Sequence, residues 1–229
     1  VSELALSIVG ASALPYAASP MLALRLHVTE RTGARVQMIA LRVQVQIEPQ
    51  KRRYASSETL RLSDLFGTAD RYGDTLKPFL WTHVSTTILN FSGETEVDLS
   101  IPCSYDFEVA AHKYLTALAG GEIPIALYFS GSVFVEGERG IAAELISWTT
   151  EAKFRLPVAV WRETMDAHFP NSAWLRVSTD VFEELDRFRI SRGLRSWDAA
   201  LTALCDAASL TARSNGAIAA QSGEAGVRR

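Results

Sequence analysis

The stretch from Val36 to Glu48 constrains this chain more than any other. Ile39, Leu41, Val43, Val45 and Ile47 alternate with Arg42, Gln44, Gln46 and Glu48. Successive side chains on a strand point to opposite faces, so this is one long strand with one apolar and one wet side. Pro49 ends it, because proline has no N–H to give the ladder. A single such strand is not stable alone, and the rest of the chain supplies its neighbours.

Those neighbours read as follows. Leu4, Leu6 and Ile8 alternate over a first strand. Leu22, Leu24, Leu26 and Val28 form the apolar side of a second, opposite Ala23, Arg25, His27 and Thr29, and Thr32-Gly33 turns the chain toward the long strand. Ser57 and Glu58 open a helical turn carrying Leu60, Leu62, Leu65 and Phe66, with Gly67 at its end and polar loop over 70–78. The run 79–91 is strand, with Leu80, Val84 and Ile88 on one face and Trp81, His83, Ser85 and Thr87 on the other. Ser92-Gly93 is expected to make a hairpin turn into 94–101, where Thr95, Val97, Leu99 and Ile101 alternate with charged residues. After Pro102, Ser104 is placed to cap a helix whose apolar face is Phe107, Ala111, Tyr114, Leu115 and Leu118, stopped by Gly120-Gly121. Ile123 to Val135 is apolar on both faces, which suggests a central strand covered on both sides. The runs 141–148 and 152–160 look like a closing pair of strands.

The period changes after Val160. Trp161, Met165 and Phe169 mark a helix stopped by Pro170. Trp174 to Val177 is a short extended piece. Val181, Phe182, Leu185 and Phe188 mark a helix ended by Gly193, and Ser196 caps a last one carrying Trp197, Ala200, Leu201 and Leu204. The expected fold class is therefore β-rich α+β: an antiparallel β-sandwich or strongly curved sheet with one inserted helix and a C-terminal helical segment. The expected division is an antiparallel β domain over 1–160, a helical segment over 161–208 packing on it, and a disordered tail over 209–229.

Composition excludes several classes of function. The chain has 229 residues, 48% of them apolar, and a net charge of −3, so it carries no global positive field for nucleic acid or an anionic membrane. No apolar run reaches the roughly 18 residues a membrane span needs. Pro15 and Pro20 interrupt the early apolar residues, and no basic region precedes them, so they do not read as a secretion signal. Cys103 and Cys205 lack CxxC or zinc spacing and read as reduced thiols of a cytoplasmic protein. No metal and no cofactor is expected. Glu108 and His112 share a helix face but form only two potential ligands, and read as a surface hydrogen-bonded pair. His27 and His83 lie on the polar faces of their strands. Ser130-Gly131-Ser132 lacks the first glycine and the following helix of a nucleophile elbow. Gly120-Gly121 follows a helix rather than a strand, so it opens no phosphate loop. Lys51, Arg52 and Arg53 read as a solvated loop, or else as a dock for an acidic partner.

The tail holds an unusual stock of large apolar groups. Trp161, Phe169, Trp174, Phe182, Phe188 and Trp197 exceed what a small helical hairpin can bury against itself. Trp174, Arg176, Phe188 and Trp197 are the candidate interaction surface. The order strand, helix, glycine, capped helix over 174–207 is also that of ribbon-helix-helix DNA binders, although the strand offers a single cation, Arg176.

Two resemblances run through particular motifs. Ala40-Leu41-Arg42, Ile47-Glu48-Pro49-Gln50, Arg53-Tyr54, Leu80-Trp81-Thr82-His83, the run 102–109 and Leu156-Pro157-Val158 are similar to a bacterial family of unestablished function. Its genes tend to sit beside those of a nickel–iron hydrogenase and its maturation factors. This resemblance covers nearly all of residues 3–208 and brings no catalytic or ligand residues with it. More distantly, the order long strands, Ile101-Pro102-Cys103, helix, Gly-Gly, Ile123-Pro124 resembles secretion chaperones of the SecB type. This chain departs from them in having further strands and a helical C-terminus. The resemblances imply a non-enzymatic accessory protein, with a hydrogenase subunit or maturation factor as its protein partner, or a chaperone-like factor. A small-molecule-binding or enzymatic β-sandwich is the alternative, and a ribbon-helix-helix-like regulator the third reading. A homo-oligomer remains open.

Overall fold

The computed structural model describes residues 3–104, 109–137, 140–172 and 175–209. Its strands form two antiparallel sheets. β1 (Leu4–Ala13), β2 (Met21–Glu30) and β5 (Glu94–Pro102) make a three-stranded sheet in the order β1-β2-β5. β3 (Val36–Ile47), β4 (Phe79–Phe91), β6 (Glu122–Gly137) and β7 (Gly140–Leu145) make the second, in the order β4-β3-β6-β7, and β8 (Glu151–Pro157) also pairs with β6. The helices of this part are α1 (Ser56–Phe66), the single turn α2 (Tyr72–Thr75), α3 (Ala110–Ala117) and α4 (Val158–His168). The fold class is a β-rich α+β sandwich.

The alternation in β3 explains why the sheets face each other. Ile39, Leu41, Val43, Val45 and Ile47 are all buried, and they share one core with Leu22, Leu24, Leu26 and Val28 of β2, Leu99 and Ile101 of β5, and Leu127 and Phe129 of β6. Each such side chain contributes roughly 1.5–3 kcal/mol on leaving water. β6 is the central strand of its sheet. It pairs with β3 along one edge and is shared on the other by β7, from Ser132 to Gly137, and β8, from Glu122 to Tyr128. Its first half, from Ile123 to Leu127, is buried on both faces, while Tyr128 and Ser130 reach the surface.

Four local expectations are corrected. The Ser92-Gly93 turn does not make a hairpin: β4 pairs with β3 and β5 with β2, so the chain crosses between sheets there. Both strands keep their apolar faces toward the shared core, and Gly93, at φ 76°, takes the bend. The crossing at Thr32-Gly33 is similar, and the buried Glu30 carboxylate holds it by accepting from Thr32 N, Thr32 Oγ1 and Ala34 N at 3.0, 2.5 and 2.9 Å. In β4, a bulge opposite Val45/Gln46 leaves Trp81 between the pairs Val45–Thr82 and Gln46–Leu80. One extra residue reverses the facing beyond it, so Leu80 is exposed and Trp81 packs on the core. β7 and β8 do not pair with each other, since each takes its own half of β6. Finally, Val158 and Val160 belong to α4 rather than to a strand. Val158, Trp161 and Met165 are spaced three and four apart and all buried, a helical face whose first member also continues the Phe154–Leu156 alternation of β8.

The chain separates into two compact units, Val1–Leu175 and Arg176–Arg229. α4 belongs to the first and lies against β1 and β2, with His168 Nε2 at 2.9 Å from the Ala17 carbonyl oxygen. The second contains α5 (Thr179–Ser191) and α6 (residues 197–209). Trp174 lies outside the described residues, as do Phe107, Glu108 and, of the expected tail over 209–229, residues 210–229, while Ser209 ends α6.

Two substitutions test the sandwich. Val43→Asp buries a charge with no partner and should abolish the cooperative thermal transition. Gly131, in mid-β6, has φ 138°, and a Cβ there would collide with the Ala40 carbonyl oxygen across the β3–β6 ladder. Gly131→Ala should cost about 2–3 kcal/mol in denaturant unfolding. An unchanged midpoint would overturn this register.

Candidate functional site

The basic run 51–53 divides into three different environments. Lys51 pairs with the buried Glu48 carboxylate at 2.6 Å, and Arg53 is exposed. Arg52 is not solvated, contrary to the expectation. Its side chain is 9% exposed and forms an ion pair at 2.9 Å with Glu58, itself 5% exposed. The same guanidinium donates to the carbonyls of Gly120 and Glu122 at 3.2 and 3.1 Å and lies over the Tyr54 ring. Glu58 accepts from Ala55 N at 2.9 Å, closing the first turn of α1, and from Ala119 N at 2.7 Å. Burial by itself pushes the Glu58 carboxyl up. The Ala55 and Ala119 N–H donors and the Arg52 charge outweigh it and hold the group below its ordinary range. Next to this pair, Tyr54 donates to the Pro49 carbonyl at 2.6 Å, so at its 2.9 Å contact with Tyr114 it accepts. Burial raises both phenols, Tyr114 to about 12. The cluster is a structural joint, with both tyrosines neutral, and its charges face inward.

A cleft of about 230 Å³ lies between β4, the end of β5, α3 and α4, with Trp81, Cys103, His112, Leu115 and Trp161 on its walls. His112 is buried rather than on the surface, with its ring 5.8 Å from that of Trp161 and Nε2 3.3 Å from Thr116 Oγ1. Burial pushes the Cys103 thiol up to about 12, so at neutral pH it is a protonated, weak nucleophile. The volume falls below the roughly 300–1,000 Å³ usual for small-molecule sites. Two shallower depressions, of about 690 and 530 Å³, meet at Lys51, Glu122 and Arg155. Apart from the exposed Arg53, their cations are balanced by neighbours: Lys153 lies 3.0 Å from Glu151, and Arg155 3.8 Å from Glu122. His27 and His83 stand in different sheets, His27 between Glu94 and Glu96. Among the described residues no three His, Cys, Asp or Glu side chains converge as metal ligands would, and no helix is long and apolar enough to cross a membrane.

The surface is most unusual at β7. No described strand pairs with its outer edge, and its sequence is Gly-Ile-Ala-Ala-Glu-Leu, with one charge and no proline. Ile141 and Leu145 are 67% and 82% exposed, and Trp148, in the turn toward β8, is 90% exposed. Natural edge strands are commonly blunted by lysine, proline or a bulge. β7 has none of these. The sequence marks 141–148 as a strand, but that its outer edge is open depends on pairing, which alternation does not report.

In the second unit, the Ser178 hydroxyl caps α5 by accepting from Val181 N at 3.5 Å. Arg189 lies over the Trp197 ring, which also meets Phe182 at 5.0 Å, and Arg192 lies over Phe188. Of the surface expected from the sequence, Phe188 and Trp197 thus stand within one hairpin, Arg176 is exposed before it, and Trp174 lies outside the described residues. Residues 175–178 carry no strand pairing.

These elements define an antiparallel β-sandwich protein with an open sheet edge and a separate helical unit. The chain belongs to DUF6084, a family of unknown function whose model matches residues 1–213. No curated protein matches it. Among solved structures it is similar to a CARDB domain from Pyrococcus furiosus, solved with two metal ions, at 14% identity and a TM-score of 0.26, covering 68% of this chain and 92% of that one. It is also similar to β-glucosidase 3B from Thermotoga neapolitana in complex with α-D-glucose, at 16% identity and a TM-score of 0.25, covering 67% of this chain and 17% of the enzyme. A β-glucosidase from Kluyveromyces marxianus matches at 9% identity and a TM-score of 0.24, covering 67% of this chain and 15% of the enzyme. Superpositions this loose carry no functional argument.

The ion pair gives a prediction with a pH signature. Glu58→Ala leaves Arg52 buried without its partner and should cost about 3–5 kcal/mol. Because the folded pKa of Glu58 is lowered, its contribution is complete above the unfolded value, about 4.3, and is lost as pH falls through the folded value. Stability measured against pH should therefore fall less steeply below about pH 4.3 in Glu58→Gln than in the wild type. Parallel curves would refute the linkage.

Proposed function

We propose that this chain is a non-enzymatic accessory protein that binds another protein by taking an extended segment of it against β7. The unprotected, apolar edge of β7 carries this reading. An added strand would pair with its backbone, while Ile141, Leu145 and Trp148 would contact the incoming side chains. Ile146 N donates to the Gly131 carbonyl on β6 at 3.0 Å, so by alternation the N–H groups of Ala143 and Leu145 point outward. The resemblance to a hydrogenase-linked family directs the choice of partner toward a hydrogenase subunit or a maturation factor. The more distant likeness to SecB-type chaperones suggests a client offered in extended form. The protonated Cys103 thiol and the small cleft beside it favour this reading over the enzymatic alternative.

The test is a pull-down, with the full chain as bait, from cells making a nickel–iron hydrogenase. Ala143→Pro removes one outward donor, and Leu145→Lys places a charge on the edge. Both should lose the captured protein while unfolding stability stays within about 1 kcal/mol of the wild type. Capture of the same proteins by both variants would place binding elsewhere.

A further inference from the structure

The second unit presents an apolar face that its own two helices leave open. Ala200 is its one buried residue among those described, while Val181, Phe182, Ile190 and Trp197 are 46%, 47%, 64% and 39% exposed. Val181, Leu185 and Phe188 follow one another at four and three residues and form a stripe along α5. The charges along α5 and the turn that follows it show what fits that stripe. From Thr179 to Asp186 the chain carries Asp180, Glu183, Glu184 and Asp186 and no cation. From Arg187 to Arg195 it carries Arg187, Arg189, Arg192 and Arg195 and no carboxylate. This segregation suits the helix macrodipole. It also makes the surface complementary to itself, because turning a second copy end for end sets its arginines against the first copy's carboxylates. A duplex of nucleic acid would meet the four carboxylates as well as the arginines, and a uniformly acidic or basic protein would be repelled by one end.

We infer that this unit is a homodimerisation surface, in which two copies pair about a two-fold axis with their α5 helices antiparallel. The pairing buries Val181, Leu185 and Phe188, sets Val181 of one copy opposite Phe188 of the other, and so brings Asp180 of each copy near Arg192 of the other. Helix macrodipoles also oppose favourably in this arrangement. The inference is independent of the β7 reading, since it involves a different unit and a different occupant.

Sedimentation equilibrium of the full chain tests it. The wild type should be a dimer at micromolar concentration and dissociate more readily in high salt. Val181→Asp, at an exposed position, should yield monomer with an unchanged circular dichroism spectrum. Two charge variants guard against misfolding. Arg192→Glu reverses the cation of that contact, and Asp180→Arg reverses its carboxylate. Each alone should dimerise at least about tenfold more weakly than wild type, and an equimolar mixture should recover the dimer. A wild type that is monomeric throughout, a Val181→Asp chain that stays dimeric, or charge variants that dimerise as well alone as when mixed would each overturn the inference. So would a hairpin that retains duplex DNA without self-association. Ala143→Pro should leave the dimer intact, so failure of the strand-addition reading is distinguishable from failure of this one.

Discussion

The ion pair between Arg52 and Glu58 is the constraint on which one end of the sandwich depends. Three connections converge there: the exit of β3 through Pro49, the first turn of α1, and the link from α3 into β6. Glu58 takes the N–H groups of Ala55 and Ala119, and Arg52 takes the carbonyls of Gly120 and Glu122. One buried pair thus partners four backbone groups where these three connections meet. A buried pair of charges is often neutral in stability against an apolar substitute. Here the hydrogen bonds to the backbone give it a role that no apolar pair could fill, since the loops must be positioned as well as covered.

The rest of the fold follows from how the chain moves between layers. It crosses from the first sheet to the second after β2 and back after β4, at Gly33 and Gly93, where φ is 80° and 76°. Between these crossings the apolar faces never leave the common core. Glu30 is the counterpart of Glu58 at the first crossing. Its carboxyl is also held low: burial opposes ionisation, and the Thr32, Gly33 and Ala34 donors more than offset it. Of the three buried glutamates, Glu30 and Glu58 thus each serve a turn rather than a reaction.

Strand identity was legible in the sequence because alternation is a local property. β2, β3 and β5 show it directly, and the residues expected in the core of β3 are all buried. Pairing was less legible. A glycine turn between two alternating runs has the same sequence whether the strands pair or part company between sheets, and only the far strands decide. The bulge at Trp81 was hidden because one added residue leaves no compositional mark. Arg52 was misread because a run of three cations says nothing of which one meets a carboxylate six positions later. His112 was misplaced for a related reason: α4 covers it with Trp161, a contact made forty-nine residues along the chain. The open edge of β7 escaped notice because an unpaired edge is defined by what lies outside the chain's own pattern.

The division of β6 between two neighbours has an energetic consequence. β8 sits against the half of β6 whose side chains are buried on both faces, whereas β7 has no buried residue and sits against the other half. Removing β7 would cost its ladder hydrogen bonds and little else, and would leave the core and the β8 pairing untouched. Local stability is therefore graded along a single strand. Between Gly131 and Glu136, its amides turned toward β7 belong to a cheap, partial opening, while those turned toward β3, such as Glu136 N on the Arg35 carbonyl at 3.0 Å, are released only with the whole domain. A segment with a better apolar fit could displace β7 as readily as lie beside it, and the sandwich would remain closed during the exchange.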